Sequence, residues 1–385
     1  MKSRRRRGTV IESIASKHGP GGSCSVRYIT KKKKIVGRYI VLRIVELMKG
    51  LLQACIFLLA FTLMIGYVSA DGAYSSPPAV PSPAGVRPTS VAVDSAGSIY
   101  ATDGYTNSIW KFTPNGTYVT QWGASGTGKG RFQYPEGIAV NASGSVYVVD
   151  TGNNRIGEFM SNGTYVTQWG AGGIGNNQFL YPDGIAVNAS GSVYVADTYN
   201  HRVQVFTPDG TYVTQWGAGG IGNGQFLYPQ GIAVNASGSV YVADTFNHRV
   251  QVFTPDGTYV TQWGSGGTAN GRFWYPDGIA VNASGSVYVV DWGNNRVQVF
   301  TADGKYVTQW GAGGTGNGQF ENPGGISVDA DGNVYVADWG NNRVQVFTPD
   351  GTYVTQWGAG GTANGQFENT GGISVNANNY IYVAG

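Results

Sequence analysis

A unit of 47 residues recurs along most of this 385-residue chain. The tetrapeptide Gly-Ile-(Ala/Ser)-Val marks each copy, and a weaker version, Ser90 to Val93, stands one period before the first. The tetrapeptides begin at Gly137, Gly184, Gly231, Gly278, Gly325 and Gly372. A fixed period of this length indicates stacked supersecondary units, each of which buries its apolar surface against its neighbours.

Each unit contains four short runs of alternating apolar residues, which is the pattern of half-buried strands. In the copy that begins at Gly231 the runs are Ile232–Val234, Val240–Ala243, Val250–Phe253 and Tyr259–Trp263. Turn-forming sequences separate them: Asn-Ala-Ser-Gly, a loop from Asp244 to His248, and Pro-Asp-Gly. Four strands on short connections form an antiparallel meander, and a ring of such sheets buries both faces of each. The sequence therefore predicts an all-β fold, a β-propeller.

The unit resembles the NHL repeat in its motifs as well as in its length. It carries GIAV, then VYVAD, then N-[HN]-R-V-Q-V-F, a closing aromatic-Gly pair and a G-x-G-x-G-x-F link that leads to a proline. The resemblance covers about residues 87–385 and implies four-stranded blades, usually six to a ring. Complete copies begin at residues 90, 137, 184, 231, 278 and 325. A seventh copy, Gly372 to Gly385, contains only the first two strands, so we predict six complete blades plus a C-terminal half repeat, in a ring of six or seven positions.

The N-terminal part has a different composition from the repeats. Residues 1–49 hold fourteen Lys or Arg and two Glu, a net charge of +12, and residues 50–70 are uncharged and mostly apolar. The small residues Val-Ser-Ala at 68–70 fit the rule for signal peptidase cleavage. Because the sequence from Met48 has the form of a complete signal peptide, we interpret residues 1–47 as a basic extension ahead of a mis-assigned start. The alternative is a signal anchor, since ~20 apolar residues can span a bilayer.

These patterns divide the chain into four segments. They are the basic extension (1–47), the signal peptide or signal anchor (48–70), a Pro/Ser-rich linker (71–89) and the NHL propeller (90–385). Both interpretations of the apolar segment place the propeller outside the cytoplasm, secreted or held at the cell surface. Contact with a membrane is expected only through residues 50–70, if they are not cleaved.

The charge of the propeller segment argues against nucleic acid as a partner. The whole chain carries +3, so residues 71–385 carry −9 once the N-terminal +12 is removed. Phosphate contacts by Lys and Arg dominate most nucleic-acid affinity, and an acidic domain opposes them. The cysteines, Cys24 and Cys55, both precede the linker, so neither a disulfide scaffold nor a cysteine zinc site is expected in the propeller. We expect no cofactor.

An aspartate and an arginine recur five residues apart across the loop between the second and third strands. The pairs are Asp150 and Arg155, Asp197 and Arg202, Asp244 and Arg249, Asp291 and Arg296, and Asp338 and Arg343. Each pair can form a charge-assisted hydrogen bond that fixes the loop. Because the pair recurs in successive units, we interpret it as structural rather than catalytic. The first unit departs from the pattern, with Ser108 in place of the arginine.

Aromatic residues and acids vary between copies at one rim of the predicted ring, where two kinds of loop meet. Loops on a rigid scaffold are the usual place for binding residues, so this rim is the candidate ligand surface. Its aromatic residues are Tyr134, Tyr181, Tyr199, Tyr228, Phe246, Trp274, Trp292 and Trp339. The competing interpretation is that these side chains pack against neighbouring blades.

Two histidines, His201 and His248, occupy the slot before the arginine in adjacent units, where other units have Asn. Some NHL-type lyases hold metals with channel histidines, but two histidines without a third are an incomplete zinc set. We therefore predict no metal, with these histidines as the weaker alternative.

The favoured function is a non-enzymatic extracytoplasmic propeller that binds a protein or a glycan through the aromatic rim. The alternative is a metal-dependent lyase or hydrolase that acts in the central channel.

Overall fold

The computed structural model describes residues 88–94, 96, 98–104, 106–113, 118–329, 331–357, 373–375 and 381–383. The predicted basic extension (1–47), the signal peptide or anchor (48–70) and most of the linker (71–87) lie outside these residues. No helix within the described part of the chain combines the length and the apolar character needed to cross a membrane.

The described residues form six antiparallel four-stranded sheets, the blades, followed by one two-stranded hairpin. Blades 1 to 3 are β1 (Pro88–Val93), β2 (Ile99–Asp103), β3 (Ser108–Phe112), β4 (Tyr118–Trp122); β5 (Pro135–Val140), β6 (Val146–Asp150), β7 (Arg155–Phe159), β8 (Tyr165–Trp169); and β9 (Ile185–Val187), β10 (Val193–Asp197), β11 (Arg202–Phe206), β12 (Tyr212–Trp216). Blades 4 to 6 and the hairpin are β13 (Pro229–Val234), β14 (Val240–Asp244), β15 (Arg249–Phe253), β16 (Tyr259–Trp263); β17 (Pro276–Val281), β18 (Val287–Asp291), β19 (Arg296–Phe300), β20 (Tyr306–Trp310); β21 (Pro323–Val328), β22 (Val334–Asp338), β23 (Arg343–Phe347), β24 (Tyr353–Trp357); and β25 (Ile373–Val375), β26 (Ile381–Val383).

A single turn of 3₁₀ helix connects the second and third strands of blades 2 to 6. These turns are Thr151–Asn153, Thr198–Asn200, Thr245–Asn247, Trp292–Asn294 and Trp339–Asn341. In blade 4 the turn fills most of the segment from Asp244 to His248 that the sequence predicts as a loop. The residue after it, His248, has a positive φ of 56° and returns the chain into β15.

The second and third strands are buried at every position in blades 2 to 6, whereas the fourth strands are mostly half-buried and expose the valine at their second position. Each inner strand is therefore covered on both faces by adjacent blades. Between blades 4 and 5, for example, Tyr241 and Val250 pack with Val287, Val289 and Phe300 in one apolar cluster. Burial of such side chains contributes about 1.5–3 kcal/mol each, which makes the contacts between blades the main source of stability.

The tryptophan that closes a fourth strand belongs to the same contact between blades. The ring of Trp263 lies 5.5 Å from the ring of Phe300 in the next blade. It also lies directly against Gly304, in the Pro-Asp-Gly-like turn of that blade, where a Cβ atom would collide with it. The repeating tryptophan thus fixes the distance between one blade and the turn of the next.

The first strands contact one another around the centre of the ring and line the channel. The ring includes the C-terminal hairpin, because β25 lies beside β21 of blade 6 on one side and β1 of blade 1 on the other. Ile373 of β25 is buried and packs with Tyr335, Val344 and Val346 of blade 6. The ring therefore has six complete blades and a seventh, two-stranded place, which resolves the number of positions that the repeat count leaves open.

Candidate functional site: the aromatic rim and the channel mouth

The loops of the rim are held by a buried network centred on the recurrent arginine. In blade 4, Nε of Arg249 donates to Oδ2 of Asp244 at 2.7 Å. The guanidinium also donates to the backbone oxygens of Ile221, Gly222 and Gln225 at 2.7–2.9 Å. These three residues belong to the glycine-rich link that arrives from blade 3. A fifth bond goes to the side chain of Gln262 in β16, at 2.6 Å. One arginine thus joins a 3₁₀ turn, a link and an outer strand.

The partner carboxylate accepts from several donors as well. Asp244 receives bonds from the backbone N–H of Leu227 at 2.7 Å and from the side-chain amides of Asn247 and Gln251 at 2.9–3.1 Å. The same Nε–Oδ2 contact of 2.7 Å occurs in all five predicted pairs, and every member of them is buried. The structure thus brings each pair together, inside a larger network than an isolated ion pair.

The glutamines of this network are functional neighbours that the sequence analysis does not identify. They are Gln204, Gln251, Gln298 and Gln345, the middle residues of the RVQVF strands. Gln251 is fully buried, donates to the backbone of Gln225 at 2.6 Å and accepts from the backbone N–H of Gly224 at 2.8 Å. A polar residue at an inward position of an otherwise apolar strand is the signal that marks it. Blade 2 has Gly157 instead.

The two histidines have a structural role that the asparagines of other blades share. Nδ1 of His201 accepts from the backbone N–H of Tyr228 at 3.1 Å, and Nδ1 of His248 accepts from that of Tyr275 at 3.1 Å. In the same slot, Oδ1 of Asn154 accepts from the N–H of Tyr181 at 2.7 Å. Desolvation by burial lowers the pKa of both histidines. The rings are thereby held neutral, as an accepting Nδ1 requires.

The residue whose backbone N–H donates to this histidine or asparagine has a left-handed backbone conformation in blades 2 to 6. These residues are Tyr134 (φ 48°), Tyr181 (φ 45°), Tyr228 (φ 51°), Tyr275 (φ 58°) and Asn322 (φ 50°). Left-handed backbone costs an L-residue with a Cβ about 1–2 kcal/mol, and Asn tolerates it best among residues other than Gly. Four blades therefore have a tyrosine where blade 6 shows that an asparagine suffices.

Six rim aromatic residues form a continuous series, which we name the aromatic arc. In order around the ring they are Tyr181, Tyr199, Tyr228, Phe246, Tyr275 and Trp292. Successive ring centroids are 5.0–5.1 Å apart along the first five rings and 6.3 Å apart at the last step. Tyr181 and Tyr199 are each 51% exposed, so the arc presents ring surface to solvent rather than packing wholly into the core.

The other predicted rim aromatics lie outside this series. Tyr134 is 61% exposed in blade 2. Trp274 is 45% exposed and stacks on His248, with 5.0 Å between centroids and 11° between planes; its ring also lies 5.7 Å from that of Tyr275, so it is a side branch of the arc. Trp339 is half-buried in blade 6 and has no ring partner among the described residues. The sequence analysis thus includes three residues, Tyr134, Trp274 and Trp339, that do not continue the arc, and it omits Tyr275; ligand binding at this rim stays a prediction.

Acidic residues lie at the mouth of the channel, one at the start of each of three first strands. The residue before the Gly-Ile pair is Glu136, Asp183, Gln230, Asp277 and Gly324 in blades 2 to 6. These positions are neighbours around the ring, because the carbonyl oxygen of Asp183 touches Gly137 so closely that a Cβ could not fit between them. Gly184 meets the carbonyl of Gln230 in the same way. The first strands thus approach one another around the channel. Glu136, Asp183 and Asp277 therefore lie in one layer, at the same level along it.

The acids of this layer are costly to ionise. Burial and the nearby Asp183 carboxylate raise the pKa of Glu136 to about 8. The same two causes raise the pKa of Asp277 to about 7, and burial raises the pKa of Asp183. Each of the three residues is nevertheless partly exposed. Their hydrogen bonds are few: Glu136 accepts from Thr151 at 3.3 Å and Asp183 from Gln230 at 3.4 Å.

Among the described residues, no group of three or more His, Cys, Asp or Glu side chains is arranged to hold a metal ion. The two histidines of the weaker alternative each use Nδ1 for the backbone bond described above, so Nε2 is the atom that remains for a ligand.

Comparison with solved structures finds the same fold in proteins of low sequence identity. Streptogramin B lyase is 16% identical, with a TM-score of 0.62 over 81% of this chain and 92% of that chain. A catalytically inactive variant of virginiamycin B lyase from Staphylococcus aureus, solved with quinupristin, is 17% identical. Its TM-score is 0.57, and the match covers 74% of this chain and 88% of that chain. Hydrazine synthase of Kuenenia stuttgartiensis is 12% identical. Its TM-score is 0.58, and the match covers 83% of this chain and 98% of that chain. At these identities the likeness establishes the fold alone.

The repeats themselves identify the family. The NHL repeat family matches six times, once in each complete blade. The matched residues are 86–112, 132–159, 179–206, 226–253, 273–300 and 320–347. Each match begins near the link and ends at the third strand, so it contains the buried Asp and, from the second match onwards, its Arg. The chain is therefore an NHL-repeat protein that folds as a β-propeller.

Proposed function

We propose that this NHL propeller is an extracytoplasmic binding or scaffold protein, which recognises a protein or glycan ligand through the aromatic arc. The observation that carries the proposal is the left-handed backbone of the rim tyrosines. Tyr181 and Tyr228 occupy a conformation that an asparagine adopts with less strain, as Asn322 does in blade 6. A strained residue retained at a surface loop is a reason to look for a function there.

The exposed ring surface of the arc gives the proposal its second support. Continuous apolar surface on a monomeric scaffold often marks an interaction site. Aromatic side chains suit such sites because they present a large, rigid face at a low entropic cost. Phe246 and Tyr199 fill a slot that Gly152 occupies in blade 2, so the fold does not require aromatic residues there.

The test uses the purified propeller on arrays of glycans and of cell-surface proteins, followed by calorimetry with the ligand that is found. The variant Tyr181→Asn/Tyr228→Asn removes two rings of the arc and copies the residue of blade 6. We expect affinity to fall about tenfold or more, because two aromatic contacts of ~1 kcal/mol each are lost.

A matched control is Ile174→Thr/Ile221→Thr. Both isoleucines are 81% exposed on links outside the arc, and Thr268 occupies the same position in a later link. This control should bind normally. If the tyrosine variant is folded and binds with unchanged affinity, the arc is not the ligand site.

The alternative is a metal-dependent lyase or hydrolase that acts in the channel, and the acids at the channel mouth favour it as a second candidate. Glu136 and Asp277 have pKa values raised to about 8 and about 7, the range in which a carboxyl group exchanges protons near neutrality. Metal analysis of the wild type and of His201→Asn/His248→Asn tests it. Stoichiometric metal that is lost in the variant would favour the enzyme over the binding protein.

Location outside the cytoplasm is the part of the proposal that depends on residues 48–70. Mass spectrometry of the native N-terminus tests it: a chain that begins near Asp71 is expected from cleavage after the Val-Ser-Ala sequence. A native chain that begins at Met1 would contradict the cleaved signal peptide and the mis-assigned start.

A further inference from the structure

We infer that the mouth of the channel, at the aromatic arc, binds the guanidinium or ammonium group of a basic segment in a protein partner. The inference rests on the proposed function and narrows it from a protein or glycan to a protein that presents Arg or Lys. It joins two independent features, the carboxylates of the channel mouth and the exposed rings of the arc.

The carboxylates at the channel mouth lack the cations that neutralise the other buried acids of the rim. Asp244 and its counterparts in four other blades each contact an arginine at 2.7 Å. Glu136, Asp183 and Asp277 form no ion pair among the described residues, and Asp277 accepts no hydrogen bond from them. Burial raises the pKa of these carboxyl groups because their ionised form has no partner here, and a cation that arrives from solution would stabilise that ionised form.

The arc lies beside this acidic mouth, because Tyr181 and Tyr275 are each separated from a mouth acid, Asp183 or Asp277, by a single proline. Burial, followed by the neighbouring Tyr228 and Tyr181 hydroxyls and the Glu136 and Asp183 carboxylates, raises the pKa of Tyr199, a member of the arc. Aromatic faces attract organic cations, by about 0.5–2 kcal/mol for each well-placed ring. Carboxylates beside aromatic rings therefore match a cation that has an apolar stem.

Arginine and lysine side chains meet this description better than other organic cations. Their aliphatic stems lie along apolar surface while the charged group reaches a polar one. A guanidinium group also stacks on aromatic rings and donates to carboxylates in pairs. The net charge of −9 on residues 71–385 would attract a basic partner over a longer range. An unmodified neutral glycan offers no such complementarity.

The experiment compares two probes that differ in charge alone. The first is the peptide acetyl-Gly-Phe-Arg-Phe-Gly-amide, and the second replaces its arginine by citrulline, which has almost the same shape and no charge. Binding to the wild type is measured by calorimetry at low ionic strength and at about pH 9, above the raised pKa values of Glu136 and Asp277. We expect the arginine peptide to bind about tenfold more tightly than the citrulline peptide, the discrimination that one charge-assisted contact supplies.

The variant Glu136→Gln/Asp183→Gln/Asp277→Gln removes the charges and copies Gln230, which already occupies the layer in blade 4. It should bind both peptides alike. If the triple variant does not fold, the single variant Asp277→Gln is used instead. The ratio between its affinities for the two peptides should be about threefold smaller than that of the wild type. The variant Asp209→Asn controls for net charge. Asp209 is an acid at the opposite rim, and its counterpart in blade 2 is Asn162. This variant should still bind the arginine peptide more tightly than the citrulline peptide.

Several outcomes would overturn the inference while the proposed function stands. One is equal binding of the two peptides by the wild type, and another is undiminished discrimination by the triple variant. A chitosan oligomer that binds more tightly than the arginine peptide would identify an amino sugar instead. Calcium alone, bound by the wild type and lost in the triple variant, would identify an inorganic cation. If Tyr181→Asn/Tyr228→Asn changes the binding of no ligand, the proposed function itself fails.

Discussion

Single side chains at the rim divide into those that the fold requires and those that it tolerates. His201 and His248 accept a backbone hydrogen bond that Asn154 accepts equally well in blade 2. The histidines are therefore replaceable as acceptors, but they add a dependence on pH that asparagine lacks. Protonated Nδ1 becomes a donor and faces another donor, the backbone N–H.

The variant His201→Asn/His248→Asn should lose less stability than the wild type as the pH falls. Burial lowers the histidine pKa in the folded state, so below about pH 6.5 the unfolded chain binds protons that the folded chain does not. The stability from these acceptors is present above that pH and is lost as pH falls through the folded pKa. Each lost bond is worth about 0.5–1.5 kcal/mol. Urea unfolding of both proteins at pH 7 and pH 5 measures the difference, and identical losses would contradict the acceptor role.

The rim tyrosines should prove dispensable for stability. In Tyr181→Asn/Tyr228→Asn, relief of left-handed strain returns about 1 kcal/mol per site, and the lost ring contacts cost a similar amount. We therefore expect the free energy of unfolding to change by less than about 1 kcal/mol. Urea unfolding checks this value. A much larger loss would show that the rings belong to the core and would remove the main support for a binding rim.

At the scale of one strand–turn–strand element, the buried Asp–Arg network decides how firmly a loop is held. An isolated hydrogen-bonded pair would be worth about 1–3 kcal/mol. The structure shows five bonds from Arg249, three of them to residues in the link that comes from the preceding blade, at 2.7–2.9 Å. The arginine therefore couples neighbouring blades. Blade 1 has Ser108 in this position and so has no arginine there.

Removal of this arginine should destabilise the propeller more than an ion pair alone suggests. Arg249→Ala removes the cation that pairs with the buried Asp244 carboxylate and takes away the arginine's hydrogen bonds to three link carbonyls, so we expect a loss of about 3–5 kcal/mol. The control is Arg272→Ala, an exposed arginine on a link, which should change stability by less than about 0.5 kcal/mol. Thermal unfolding of both variants gives the comparison. An unchanged midpoint for Arg249→Ala would refute the network's role in stability.

For the molecule as a whole, closure of the ring depends on the two-stranded seventh place. Ile373 packs against blade 6 in the same position of its strand as Ile326 in blade 6 itself. A propeller without such a closing contact would expose the edges of its first and last blades. The half blade therefore supplies part of the contact between blades that a complete blade would supply.

Truncation of this closing contact should cost as much as an equivalent change inside the ring. We expect Ile373→Ala and Ile326→Ala each to lower the free energy of unfolding by about 2–5 kcal/mol, because both create a cavity between blades. Urea unfolding of the two variants measures the values side by side. A negligible loss for Ile373→Ala beside a full loss for Ile326→Ala would mean that the hairpin does not close the ring.

The acidic layer of the channel predicts a second dependence on pH. The pKa values of Glu136 and Asp277 are raised to about 8 and about 7, so the folded state holds protons that the unfolded state releases near pH 4. Stability from this source is complete below pH 4 and is lost as pH rises through 7 to 8. Thermal midpoints should therefore fall between pH 6 and pH 9, and the triple Gln variant should show a smaller fall. Equal slopes would contradict the shifted carboxyls.

The four strands per unit, the propeller fold and the Asp–Arg pairing follow from patterns within about fifty residues, and they are confirmed as local features of the structure. Alternation of apolar residues and turn chemistry act over a few residues, so the printed sequence reveals them. The 3₁₀ turns are the exception, because one helical turn has no periodicity to detect. The binding role of the rim and the location of the propeller stay predictions.

Contacts between blades account for what the sequence does not reveal. Residues that are 47 positions apart, such as Glu136 and Asp183, meet only when the ring closes and the first strands converge on its axis. The same closure brings the rim rings into one arc, which admits Tyr275 and excludes Trp339, and it places Ile373 between the last blade and the first. Repetition in the sequence determines the unit, whereas the angle and distance between units arise from side-chain packing that no single unit contains.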